Sequence, residues 1–188
     1  MSRQLFFFDQ PRRFVVGTVG QPGERVFFLQ ASDGARVVSV ALEKAQVTVL
    51  TERMEQLLAE VATQSGLPLP DEVTPDTEPL DNPVDEEFRV AAMGLAYDAD
   101  TGLIVIEAQA EADSTETAEA TLLEDTDEGP DALRVQLAHQ AALEFIERAR
   151  RVVAAGRPPC PLCHQPLDAA GHVCPRHNGY RRQARIDV

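Results

Sequence analysis

At 188 residues, 44% of them hydrophobic, the chain is long enough for one ordinary domain with a real core plus a small module. No apolar run approaches a bilayer span, and the apolar part of residues 1–9 is too short for a secretory signal, so the sequence predicts a soluble, cytoplasmic protein with no membrane partner. The net charge of −14 is split: residues 1–147 hold 9 Lys+Arg against 29 Asp+Glu, a net −20, whereas residues 148–188 hold 8 Arg against Asp168 and Asp187, a net +6. A body that acidic repels phosphate backbones and excludes wrapping of nucleic acid over the whole surface. The basic tail is open to a few phosphate contacts, or to docking on the body. Sixteen arginines against the single Lys44 point to a GC-rich coding genome rather than to a function.

In chain order, residues 13–19 and 25–31 are β-branched and aromatic, and the Gly20-Gln-Pro-Gly23 turn lies between them. Residues 32–34 turn into a third strand at 36–42, which completes an antiparallel meander. From Glu43 the period changes: Val47, Leu50, Met54, Leu57, Leu58 and Val61 recur at gaps of three and four, predicting a helix over 45–65. Residues 66–87, acidic and punctuated by Pro68, Pro70, Pro75, Pro79 and Pro83, predict an extended, solvated linker. Strands are predicted again at 87–97 and 103–110, with a hairpin loop at 98–102. A short strand at 121–124, an acidic turn at 125–131, a strand at 133–137 and a helix at 138–155 follow. The fold class is therefore α+β, antiparallel sheet or sheets covered by two main helices. Residues 1–155 make the domain and 156–188 a zinc-ribbon-like tail module. Val40-x-Leu42 with Glu52-Arg53 and Val135-x-Leu137 with Glu147-Arg148 stand at a constant offset of 95 residues. A pseudo-duplication of halves 1–65 and 88–155 accounts for this, and so does chance similarity between two amphipathic helices.

The strongest motif is in the tail. All three cysteines of the chain lie there, as Cys160-Pro-Leu-Cys163 and Cys174, together with His164, His172 and His177. A Cys-x-x-Cys knuckle lets two thiolates reach one ion while the turn aims backbone N–H groups at the sulfurs, and zinc takes four such N/S ligands tetrahedrally. A disulfide needs an oxidising compartment, and a redox Cys-x-x-Cys follows a strand and opens a helix, whereas this one follows Gly156-Arg-Pro-Pro159. The expectation is one structural zinc. By spacing the fourth ligand is His177, since Cys174-Pro-Arg-His177 repeats the first gap. His172 sits behind a turn glycine, and His164 is the least suited.

Elsewhere the chain holds no Gly-x-Gly-x-x-Gly, Walker loop, Gly-x-Ser-x-Gly or His-Glu-x-x-His motif. The glycines of 17–23 join two strands, whereas a phosphate cradle opens a helix. Glu86, Glu87 and the acidic run 124–128 read as solvated loops, and His139 as a boundary residue.

Several stretches together are distinctive: Phe-Asp-x-Pro-x-Arg-Phe at 8–14, Gly-Thr-Val-Gly-x-Pro-Gly at 17–23, and Phe-Leu-Gln-Ala at 28–31. With them go Leu-Glu-Lys-x-Gln-Val at 42–47, Phe-Arg-Val at 88–90, Met-Gly-Leu at 93–95, Ala-Gly-Arg-Pro-Pro-Cys-Pro-Leu-Cys at 155–163, Gly-His-x-Cys at 171–174 and Asn-Gly-Tyr-Arg-Arg at 178–182. Over essentially its whole length the chain resembles the domain of unknown function 3090 family of GC-rich bacteria. The resemblance implies no established activity, and it hints at phosphate-related company. It favours Cys160, Cys163, His172 and Cys174 as the ligands, with His177 as the alternative. The function expected is a non-catalytic binding or adaptor protein that meets a protein partner through the zinc module, with nucleic acid a lesser candidate. The alternative is an enzyme of phosphate-related metabolism with dispersed residues such as Asp9, Arg13 and the 17–23 turn.

Overall fold

The computed structural model describes residues 3–21, 23–65, 73–74, 76–156, 160, 162–163 and 174. Eight strands and three helices are present among them: β1 (Leu5–Asp9), β2 (Arg13–Val19), β3 (Val26–Asp33), β4 (Arg36–Leu42), α1 (Lys44–Ser65), β5 (Glu86–Arg89), β6 (Ala92–Asp98), β7 (Leu103–Gln109), α2 (Thr115–Thr121), β8 (Ala132–Leu137) and α3 (His139–Ala154). They form an α+β fold with two four-stranded sheets, ordered β1-β8-β7-β6 and β2-β3-β4-β5.

Each sheet has the same plan. Three consecutive strands form an antiparallel meander that feeds a helix, β2-β3-β4-α1 in one half and β6-β7-β8-α3 in the other. A fourth strand then joins in parallel, and it comes from the opposite half: β5 lies beside β4 and β1 beside β8. The sheets are therefore mixed rather than purely antiparallel. The 87–97 stretch is not one strand. It breaks between Arg89 and Ala92, so that β5 serves one sheet and β6 the other. Val90 marks the crossing, its N–H bonded to the Ala41 carbonyl and the next N–H, of Ala91, to that of Gln109.

Alternation explains the core. Phe6 and Phe8 of β1, Phe27 and Leu29 of β3, Ile104 and Ile106 of β7, and Leu133 and Val135 of β8 point inward. They join Leu50, Met54 and Leu58 of α1 and Phe145 and Ile146 of α3 in one hydrophobic cluster. The helices pack on each other and reach across, α1 to β6 and α3 to β2. The Phe14 and Phe145 rings stack with centroids 4.8 Å apart.

The outer faces are covered too, which the polar alternation does not announce. Residues 76–81 lie against the β2-β3-β4 sheet, where a Cβ on Gly17 would come within 2.6 Å of Leu80 Cγ. Over 76–85 the proline-rich stretch lacks regular structure as expected, but at 76–81 it is a docked strap rather than a solvated linker, and residues 86 and 87 belong to β5. Over the other sheet lie α2 and residues 122–128. The strand expected at 121–124 is instead the end of α2 and a turn. Ser114 caps this helix by accepting from the Thr117 N–H, and Leu123 takes the left-handed φ of 64°. A Cβ on Gly94 would meet Leu122 and Leu123 at 2.9 Å.

Beneath that cover Glu107 is fully buried. Its Oε1 accepts from Arg3 at 2.6 Å, from Gln109 at 2.8 Å and from the Leu123 N–H at 3.2 Å, and its Oε2 accepts from Arg134 at 2.6 Å. Burial alone would lower the Arg134 pKa, but the Glu107 and Asp125 carboxylates outweigh it and the pKa is raised. Replacing Glu107 by Ala leaves the buried Arg3 guanidinium without a carboxylate and Arg134 with Asp125 alone. The expected outcome is a loss of about 3–5 kcal/mol, read as a lower urea midpoint at unchanged slope.

Candidate metal centre

The sequence of the tail dictates its local geometry. Leu162 and Cys163 form a turn after Cys160. The Leu162 N–H donates to Cys160 Sγ over 3.4 Å. Donation from the Cys163 and Leu162 amides holds the Cys160 thiol below its ordinary pKa. The turn therefore favours thiolate, the form a metal ion binds.

Cys174 completes the group from 14 residues beyond Cys160. The sulfurs of Cys160, Cys163 and Cys174 all lie within 4.8 Å of one another. Cys160 and Cys174 are buried, with their Sγ atoms 3.8 Å apart, and no disulfide joins any of the three. A tetrahedral ion with metal–sulfur bonds of about 2.3 Å has sulfur–sulfur edges of about 3.8 Å, so the donor set fits a metal. Among the described residues this is the one cluster of His, Cys, Asp or Glu side chains that meets such a spacing. His164, His172 and His177 lie outside the described residues.

The other candidates from sequence are not gathered into a site. Asp9 ends β1 on the exposed surface. Arg13 is engaged by the strap: Nε and Nη2 reach Asp76 at 2.8 and 3.0 Å, Nη1 reaches Asp81 at 3.2 Å, and Nη2 also donates to the Glu78 carbonyl. Arg148 donates to Asp76 at 2.5 Å and to the Val16 carbonyl at 2.8 Å. Gly17 is closed off by Leu80. Glu86 faces Arg89 at 3.9 Å, and Asp125 pairs with Arg134. His139 opens α3 with its ring stacked on Tyr97 at 6.0 Å. Sequence reasoning missed the Asp76 and Glu107 clusters. The available signal for the second was a glutamate within the apolar run 103–108, in register with Arg134.

Two outcomes follow. Burial pushes the Asp76 carboxyl up, but the Arg13 hydrogen bond and the Arg148 and Arg13 charges outweigh it, so its pKa lies below the ordinary 3.8. A depressed carboxyl stabilises the fold above the unfolded-state pKa, and that contribution is lost as pH falls through the folded value. Urea midpoints of the wild type should thus fall below about pH 4, and Asp76→Asn should be weaker at neutral pH with a flatter acid limb. For the cysteines, a chelator at neutral pH should raise the number of thiols titratable by a disulfide reagent in the native protein to three. Three freely titratable thiols before chelation would contradict a metal centre.

No curated protein and no solved structure matches the chain. The family model described as a protein of unknown function (DUF3090) matches residues 6–174, from the second residue of β1 to Cys174, and the chain belongs to that family.

Proposed function

We propose that the chain is a non-catalytic binding protein whose tail module, residues 156–188, is built on one structural zinc ion and meets a protein partner. The observation that carries this reading is the sulfur cluster, with a tetrahedral edge of 3.8 Å between Cys160 and Cys174 and all three sulfurs within 4.8 Å. Three thiolates are a donor set suited to zinc, and His172 supplies the fourth ligand, with His177 the alternative. A closed set of four protein ligands leaves no position for an activated water, so the ion organises the module rather than performing hydrolysis.

The charge split supports contact through the tail. Arg176, Arg181, Arg182 and Arg185 follow the last cysteine, and arginine forks hold carboxylates or phosphorylated side chains with geometric selectivity. Nucleic acid held by so few arginines would dissociate steeply with salt.

Protein purified without added zinc should carry close to one zinc per chain by elemental analysis. Cys160→Ser should release it, because the remaining ligands bind only as a set. If 156–188 is a separate module, that variant keeps the far-ultraviolet spectrum and urea midpoint of the sheets; global unfolding would make the module part of the core. Arg181→Glu with Arg182→Glu should abolish partner recovery in a pull-down while the zinc stays bound. Retention of every wild-type partner would defeat the tail-contact reading.

A further inference from the structure

The acidic body engages its cations with two exceptions. Of the nine Lys and Arg side chains in residues 1–147, Arg3, Arg12, Arg13, Arg89 and Arg134 are ion-paired. Arg36 donates to the Phe7 carbonyl and Arg53 to Gln56. Arg25 and Lys44 alone have no carboxylate and no hydrogen bond among the described residues; Arg25 only lies 5.3 Å over the Phe27 ring. Yet the two point to one place. Lys44 Nζ is 3.5 Å, and an Arg25 terminal nitrogen 3.8 Å, from the point a Cβ on Gly156 would occupy.

Like charges brought together with no carboxylate at ion-pairing distance repel, and the nearby Glu43 is paired with Arg89 instead. The place is a cleft of about 590 Å³, lined by Gly23, Arg25, Phe27, Lys44, Val153 and Gly156. Gly23 and Gly156 add no side chain of their own to the space in front of the cations. Lys44 is also the first residue of α1, a 22-residue helix with no acidic residue in its first turn, where a carboxylate would normally offset the helix dipole. A competing explanation is that the cations offset the carboxyl end of α3. Neither donates to an α3 carbonyl, however, and the last turn of α3 already holds its own Arg151, which donates to the Asp76 carbonyl at 2.7 Å.

We propose that the cleft between Arg25 and Lys44 binds a small oxyanion carrying two negative charges. Phe27 and Val153 give it an apolar wall, so that the head group of a larger molecule fits as well as a free ion. The site is independent of the metal module.

The probe is inorganic sulfate, a dianion at every working pH, titrated into the full chain by calorimetry at constant ionic strength. Amide chemical shifts of Gly23 and Gly156 report the place. Saturable binding in the range of about 1 mM or tighter is expected. Lys44→Gln and Arg25→Gln should each weaken it about tenfold, the loss of one charge-assisted hydrogen bond. Both positions are partly or fully exposed, so these variants should fold, and Arg53→Gln serves as the unaffected control. Phenyl phosphate distinguishes the two sources: tighter binding than sulfate marks a head group, equal binding a free oxyanion. The proposal is overturned if sulfate shows no saturable binding up to about 20 mM. It is equally overturned if either variant binds within about twofold of wild type, which would place the ion on the basic tail or leave the two cations a purely structural role at the end of α3.

Discussion

A carboxylate held between two guanidiniums is the interaction on which the layered structure depends, and it occurs twice. In one sheet Glu107 joins Arg3 to Arg134; over the other, Asp76 joins Arg13 to Arg148. Each sheet has an inner face in the hydrophobic cluster and an outer face bearing polar residues, Gln30, Ser32 and Ser39 on one, Glu107, Gln109 and Arg134 on the other. Covering such a face removes its polar groups from water, which is tolerable only if they find partners. The strap 76–81 brings those partners to the first sheet, through Asp81 to Gln30 and Ser32, and the α2 segment brings them to the second. The arginines are what make both covers possible, because the fixed fork of a guanidinium can satisfy a carboxylate and backbone carbonyls together.

The exchange of edge strands has a consequence for cooperativity. Since β1 completes the sheet of the second half and β5 that of the first, neither half retains its four-stranded sheet without the other. The hydrophobic cluster runs through both without a break. Opening one half would expose β4 or β8 as a long unpaired edge, a costly and aggregation-prone state. The crossing also shields the chain's most apolar strands, since β3, β4, β7 and β8 are all interior. This follows from topology alone, whatever the origin of the repeated strand order.

Much of this was legible in residues. The meander 13–42, the helix from the period change at Glu43, the 103–110 strand and the helix after Leu137 stand where alternation and spacing put them, because each buries one face locally. What was not legible depends on pairings far apart in sequence. The division of 87–97 between two sheets is decided by which edges are vacant, β4 and β7, and a continuous apolar stretch carries no mark of that choice. The strap reads as solvent-exposed because its prolines and acids have no local partner; Arg13 and Arg148 lie 63 and 72 residues away from Asp76. Thr121 to Glu124 has strand propensity, but the burial of Leu122 and Leu123 against Gly94 fixes a helix end and turn instead.

The cysteine cluster was the reverse case: short-range, and written almost completely in the spacing. The turn after Cys160 places two amides on one sulfur, and those amides do electrostatically what a second cation would do, lowering the cost of a buried thiolate. Three thiolates within 4.8 Å would nevertheless repel one another strongly in a site where Cys160 and Cys174 are buried. A divalent cation held between the three sulfurs would relieve that repulsion. That electrostatic relief, together with the spacing, is why the cluster could hold a metal ion.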